Sequence, residues 1–253
     1  MRRFLFWHLP ITTALIAAAV FAYGFVAYLR GDTGTPVDFL PARAESVPAP
    51  QQQTLAPLIL GDSLARGAGD ETGLGIPGRL DQELRRRNLR AQRTLNLGIN
   101  GARTRDLLQQ MERPNVQLLV RQANVIVVSI GGNDLWGGAD WRTAAPPDPD
   151  AAMDDVLRRI ETIVARIRAL NPRARIFLIG LYNPFTGSPY GKQIAMFVSR
   201  WNARVLQRFA TDPELTLVHT ADLFSHRDRL ALDRFHPSSE GYGLIARRIA
   251  DAL

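Results

Sequence analysis

The chain contains no cysteine, a single lysine (Lys192) and only four histidines among its 253 residues. Without cysteine there can be no disulfide, no thiolate zinc site, no cysteine nucleophile and no lipid-modified cysteine anchor. Two of the four histidines, His219 and His226, stand near a predicted strand end and in the loop that follows it. Neither has a metal-ligand spacing to another histidine, so no metal and no cofactor is expected. Long runs of one charge are also missing. The formal charge of +7 comes almost wholly from arginines spread along helical faces, as in Arg85-Arg86-Arg87 and Arg247-Arg248. They are not interleaved with aromatics in the stripe that single-stranded nucleic acid requires, so no nucleic-acid partner is expected.

What is present falls into three stretches. Met1-Arg2-Arg3 precedes an apolar span from Phe4 to Leu29 that carries no carboxylate, lysine or arginine. It is long enough to cross a hydrocarbon core of roughly 30 Å as a helix. Trp7, Tyr23 and Tyr28 lie near its ends, and the paired arginines should stay on the cytoplasmic side. An uncleaved anchor over residues 1–30 is expected, with the following domain outside the cytoplasm. The alternative is a signal peptide cut near Ala17-Ala18-Ala19, which the continuing apolar run through Phe25, Val26 and Leu29 disfavours. Residues 31–56 hold Pro36, Pro41, Pro48, Pro50 and Gln51-Gln52-Gln53 without periodicity and read as a semi-extended linker.

From Pro57 to Leu253 apolar runs alternate with helical periodicity. Strands are expected at Leu58–Leu60, Thr94–Leu97, Val125–Ile130, Arg175–Leu181 and Leu215–His219. Val125-Ile126-Val127-Val128 and Ile176-Phe177-Leu178-Ile179 are unbroken, as for parallel strands covered on both faces. Met153, Val156, Leu157, Ile160, Ile163, Val164, Ile167 and Leu170 mark a helix stopped by Asn171-Pro172. Ile194, Phe197, Trp201, Val205 and Phe209 mark a second, and Tyr242, Ile245 and Ile249 a third. Five strands alternating with helices give an α/β fold, a three-layer sandwich around a parallel sheet.

Polar residues collect where these strands end, the edge at which open α/β sheets bind ligands. After the first strand comes Gly61-Asp62-Ser63-Leu64, and after the second Asn96 to Thr104 with Gly98 and Gly101. After the third comes Gly131-Gly132-Asn133-Asp134, and before the last helix Asp233-Arg234-Phe235-His236-Pro237. Singly, each fits an ordinary turn or cap; Thr104 in particular could cap a helix. Together they supply a nucleophile, oxyanion donors, a base and an acid. The four segments, in this order, resemble the SGNH (GDSL) hydrolase superfamily across the whole of residues 57–253. Gly61 to Gly75 is most similar to its lysophospholipase-like, acyl-esterase bacterial branch.

The resemblance implies a flavodoxin-like sandwich with a five-stranded parallel sheet and a serine esterase without a cofactor. In it Ser63 is the nucleophile, His236 the base and Asp233 the orienting acid, with an oxyanion hole from the Ser63 and Gly101 amides and the Asn133 side chain. There is no Gly-x-Ser-x-Gly elbow of the α/β-hydrolase type. Asp62, Trp136 and Trp141 are expected to face the substrate, and Phe185 and Tyr190 to lie in a second loop beside it. The expected partners are a small-molecule or envelope ester and, through residues 1–30, a membrane; a monomer is expected. An O-acetyl esterase acting on envelope polysaccharide would use the same residues. A non-catalytic envelope-binding module is the alternative from another class.

Overall fold

The computed structural model of the protein describes residues 2–30, 54–136, 150–225 and 227–253. The chain divides into two units, Met1–Gln51 and Gln52–Leu253. In the first, helix α1 runs from Arg2 to Leu29, 28 residues. Its segment Ile11–Leu29 has a mean hydropathy of 1.8 with no part of it buried. An apolar helix at this position is either a signal peptide or a membrane anchor. Most of the expected linker, and Trp141 and His226, lie outside the described residues.

The second unit is built on five parallel strands: β1 Pro57–Gly61, β2 Leu95–Asn96, β3 Val125–Ser129, β4 Arg175–Ile179 and β5 Leu215–Val218, in the order β2-β1-β3-β4-β5. Helices follow the strands: α2 Ser63–Arg66, α3 Gly75–Arg86, α4 Thr104–Gln110, α5 Pro114–Gln122, α6 Gly132–Trp136, α7 Asp150–Leu170, α8 Gly191–Arg208 and α9 Ser239–Asp251. Successive strand side chains point to opposite faces, so each apolar run feeds two cores. Leu58, Leu60, Ile126, Val128, Ile176 and Leu178 pack with residues of α4, α5, α7 and α8. Ile59, Val125, Val127, Phe177 and Ile179 pack with residues of α3 and α9. That double burial is why the central strands read as continuous apolar runs, and each fully buried aliphatic side chain stabilises the fold by about 1.5–3 kcal/mol.

Four strands are shorter than their sequences suggest, β3 and β5 by one residue each, and β2 and β4 for identifiable reasons. β2 lies at the sheet edge, and Thr94 is drawn instead to α3, donating its N–H and hydroxyl to Asp81 at 3.0 and 2.6 Å. β4 stops at Ile179 because α8 takes over the pairing. Asn202 accepts the Leu181 N–H and donates to the Leu181 carbonyl, both at 2.9 Å. The chain leaves the sheet there, at the carboxyl edge of the strands. Many arginines of the helical faces are paired with neighbouring carboxylates, as in Arg158 with Asp155 and Arg248 with Asp222. Such exposed pairs contribute at most about 1 kcal/mol each.

The strand order reverses between β1 and β3. In this topology the crevice outside the carboxyl ends of those two strands is the ligand site. Ser63 and Asn133 follow those strands.

Candidate active site

The first side chain is placed by a close approach of two strands. Gly61, at φ +132°, ends β1 against Ser129 of β3, and a Cβ here would sit 1.8 Å from the Ser129 carbonyl oxygen. The Asp62 N–H donates to that same oxygen at 2.9 Å. Asp62 then caps α2, accepting the Leu64 N–H at 3.1 Å and the Ser129 hydroxyl at 3.0 Å on one oxygen. Ser63 is thereby the first residue of α2. Its own N–H has no intrahelical acceptor, as for every residue of a first turn.

Asp62 is buried. Burial pushes its pKa up to about 6, against the hydrogen bonds from Ser129 and Leu64 that pull it down. Between the ordinary carboxylate range and pH 6 the folded protein therefore holds a proton that the unfolded chain has released. The contribution to stability is highest below that range and is lost as pH rises to about 6. Asp62→Asn, which can still accept both hydrogen bonds, should therefore gain in melting temperature relative to wild type as pH rises from 4 to 7. Thermal unfolding at four pH values checks this; a difference independent of pH would show that Asp62 titrates like an exposed carboxylate.

The second group comes from the loop before α9. Asp233 folds a tight turn on itself, with Oδ1 accepting the N–H groups of Phe235 and His236 at 2.9 Å each. Arg234, at φ +55°, completes the turn. This brings Asp233 Oδ2 to 2.6 Å from His236 Nδ1, and His236 Nε2 lies 2.9 Å from Ser63 Oγ. A carboxylate can only accept, so the network assigns the imidazole proton to Nδ1 and leaves Nε2 free to accept the serine hydroxyl proton. Partial burial works to raise the Asp233 pKa. The hydrogen bonds from His236 and from the Phe235 and His236 amides outweigh it and hold the carboxyl below its ordinary value.

Neighbouring elements lock this loop. The Tyr182 hydroxyl donates to the Phe235 carbonyl at 2.7 Å, and the Tyr242 hydroxyl to the Ala68 carbonyl at 2.7 Å. Glu71 accepts from the Ser239 N–H at 3.2 Å and also from its hydroxyl. Gly69 packs so closely that a Cβ there would meet the His236 Cβ at 2.6 Å.

The third group is Asn133, near the start of α6. One of its amide hydrogens is used on the Ala102 carbonyl at 2.9 Å, which leaves the other available. Gly101, adjacent to Ala102, is exposed and has φ +75°. Ser63, Asn133, His236 and Asp62 share the lining of one cavity of about 60 Å³. Its apolar wall includes Ile130, Trp136, Ile179, Leu181 and Phe235. Gly101 and Asp233 stand outside that lining, Gly101 one residue from the Ala102 carbonyl and Asp233 behind the imidazole. Trp136 faces the cavity and also packs on Phe197, ring centroids 5.2 Å apart. Phe185 lies at 5.9 Å from the Phe235 ring, and Tyr190 packs at the edge of the core.

Sequence reasoning did not find Ser129, Tyr182 or Phe235 as parts of this site. Ser129 ends an apolar strand and Tyr182 lies in the loop three residues beyond one, where nothing local marks them; Phe235, between Asp233 and His236, could have been suspected from position alone. Thr104 does not cap α4. It is the first helical residue, and its N–H is satisfied by a carboxylate from another element, that of Asp134 at 2.9 Å.

Comparison with known proteins agrees with this geometry. The GDSL-like lipase/acylhydrolase family matches residues 59–244. The Bacillus subtilis protein YpmR is 30% identical over 202 residues, covering 77% of this chain and 79% of its own. The spore germination lipase LipC of Bacillus licheniformis is 27% identical over 210 residues, covering 79% and 96%. Among solved structures, the lipase Lip_vut3 from a goat rumen metagenome superposes with a TM-score of 0.68 at 25% identity, over 79% of this chain and 97% of that one. The chain belongs to the GDSL-like lipase/acylhydrolase family and is a serine hydrolase of the GDSL/SGNH type.

Proposed function

We propose that the protein is an extracytoplasmic serine esterase that cleaves acyl esters, lysophospholipids or related lipids, through a Ser63–His236–Asp233 triad. The observation that carries the reading is the unbroken relay from Asp233 Oδ2 through His236 to Ser63 Oγ, at 2.6 and 2.9 Å, opening on an apolar-walled cavity. Ser63 Oγ attacks the ester carbonyl carbon while His236 Nε2 takes its proton, and the carbonyl π pair becomes an oxyanion. The Ser63 and Gly101 amides and the free Asn133 amide hydrogen receive that charge; one such donor is worth about 10²–10³ in kcat. Collapse expels the alcohol, which takes the proton from His236. Water then attacks the acyl-serine with the same base, releasing the acid and restoring Ser63. Asp233 keeps the imidazole tautomer and stabilises its protonated form. Asp62 holds α2 in place at the cavity floor, with its carboxylate turned to Leu64 and Ser129.

Leu232, fully exposed one residue before Asp233, and half-exposed Ile99 near Gly101 add apolar surface to loops that carry site residues. This favours an amphiphilic ester over a soluble one. The extracytoplasmic location is supported by Arg2 and Arg3 at the start of α1, ahead of its apolar segment. The small cavity favours a second reading, an O-acetyl esterase on envelope polysaccharide, because a short acyl group fills it. The two readings separate on p-nitrophenyl acetate, butyrate and a long-chain ester with a lysophospholipid, using Ser63→Ala as the blank. Rates rising with chain length and with the lysophospholipid support the lipid reading. Activity confined to acetate assigns the protein to the second, and no difference from Ser63→Ala on any ester removes both.

A further inference from the structure

Asp134 and Thr104 are placed by the catalytic motifs but take no part in the chemistry above, and with Arg159 of α7 they form a network beside the oxyanion donors. Asp134 directly follows Asn133, and Thr104 stands three residues after Gly101. Asp134 Oδ2 accepts the Thr104 N–H at 2.9 Å, and Oδ1 accepts the Thr104 hydroxyl at 2.6 Å. Arg159 Nε donates to the Thr104 hydroxyl oxygen at 2.6 Å and Nη2 to Asp134 Oδ1 at 3.3 Å, while Nη1 is held by Asp155. Thr104 is fully buried, and the Asp134 and Arg159 side chains are 6% and 17% exposed.

We infer that Thr104, Asp134 and Arg159 are positioning residues that set the separation of the two oxyanion-hole segments before substrate arrives. This rests on the esterase reading of the site. The β2–α4 loop carries Gly101 and α6 carries Asn133, and the two are fastened twice. Asn133 donates to the Ala102 carbonyl at 2.9 Å, and Asp134 grips the first residue of α4. The first fastening uses one hydrogen of the catalytic amide, so it leaves the other hydrogen aimed only as well as the backbones are held. The second fastening holds the backbones. Arg159 ties both to α7, a helix of 21 residues, so the reference point is a rigid element and not another loop. Donors fixed in advance need no reorganisation as negative charge develops, which is where an oxyanion hole gains its effect. Supporting hydrogen bonds of this kind determine whether a site is held to within a fraction of an ångström.

The test uses the full chain in detergent, with Thr104→Val, Thr104→Ser, Asp134→Asn and Arg159→Lys beside wild type. Thr104→Val keeps the buried volume and the backbone N–H but removes the hydroxyl from the network. Asp134→Asn is the harsher change, so melting temperatures accompany every variant. For p-nitrophenyl butyrate, kcat should fall about 10–100-fold in Thr104→Val and Asp134→Asn with KM within about twofold, and Thr104→Ser should return to near wild type. Inhibition by a trifluoromethyl ketone, whose serine adduct carries an oxyanion, should weaken by the same factor. The endpoint of fluorophosphonate labelling of Ser63 should be unchanged. Thr104→Val with wild-type kcat, or a fall in which inhibitor affinity does not follow kcat, overturns the inference. Wild-type Ser63 that accepts no fluorophosphonate and turns over no ester overturns the esterase reading beneath it, a result visible before any variant is made.

Discussion

Asparagine at Asp233 should lower kcat by roughly 10⁴-fold while leaving the fold and the KM for a small ester nearly unchanged. The expectation comes from the division of labour in the loop. Oδ1 builds the turn by accepting the Phe235 and His236 amides, and Oδ2 alone meets Nδ1 of the ring. Asparagine can place its oxygen in either position but not both. If its oxygen keeps the turn, its NH₂ faces Nδ1, and the ring must put its proton on Nε2. That nitrogen then donates toward Ser63 where it should accept, and the 2.9 Å contact becomes useless for deprotonation. Ser63→Ala sets the floor, a fall of roughly 10⁶-fold, because the Ser63 hydroxyl is the one held against His236 Nε2, while the Ser129 and Tyr182 hydroxyls in the same cavity are donated to Asp62 and to the Phe235 carbonyl. His236→Ala should fall close to that floor, and the Ser63→Ala, His236→Ala double variant no further than either alone, since the two act as a unit. Single-turnover kinetics with p-nitrophenyl butyrate measure all four. Asp233→Asn at wild-type rate would mean that some other carboxylate orients the ring, and the assignment of the acid would have to move.

How much of this was legible in the sequence depends on how local each feature is. Strands β1, β3 and β4 are apolar runs because both sheet faces are covered, so their existence follows from composition alone. Their ends do not: β4 stops at Ile179 because of Asn202, which lies more than twenty residues ahead and pairs with Leu181. The Asp233–His236 contact spans three residues and a single turn, so the resemblance to the family's Asp-x-x-His block is enough to mark it. Ser63 and Asn133 are recognisable because each follows a strand at a glycine. The surroundings that hold them are built from long-range hydrogen bonds, Asp62 to Ser129, Thr104 to Asp134 and Arg159, and Tyr182 to Phe235. No periodicity or spacing encodes such pairs; only the folded sheet brings them together. Asp62 shows the consequence. As a turn residue beside the nucleophile it is expected to face the substrate, and it does line the cavity, but its burial and its two acceptor bonds are properties of the β1–β3 junction that no local pattern announces.

That junction is also where a single methyl group should do the most damage to the fold. Gly61→Ala would put a Cβ 1.8 Å from the Ser129 carbonyl oxygen and 2.7 Å from the carbonyl carbon, both backbone atoms of the central strand β3. Neither can move aside as the end of a flexible side chain could. The φ of +132° at Gly61 adds strain of its own, being a conformation that residues with a Cβ rarely adopt. β1 and β3 would have to separate at their carboxyl ends, breaking the Asp62 N–H bond to Ser129 and lifting α2 from its cap. A cost of roughly 4 kcal/mol or more is expected, a large part of the whole stability of an ordinary domain. Gly73→Ala provides the control. Gly73 also has positive φ, +70°, but a Cβ there meets nothing within 4 Å, so only the backbone strain of about 1–2 kcal/mol should appear. Urea denaturation of the two variants beside wild type separates steric contact from backbone strain. Equal stabilities would mean that β1 and β3 do not approach as closely as 1.8 Å implies, and the placement of Ser63 at their crevice would lose its physical basis.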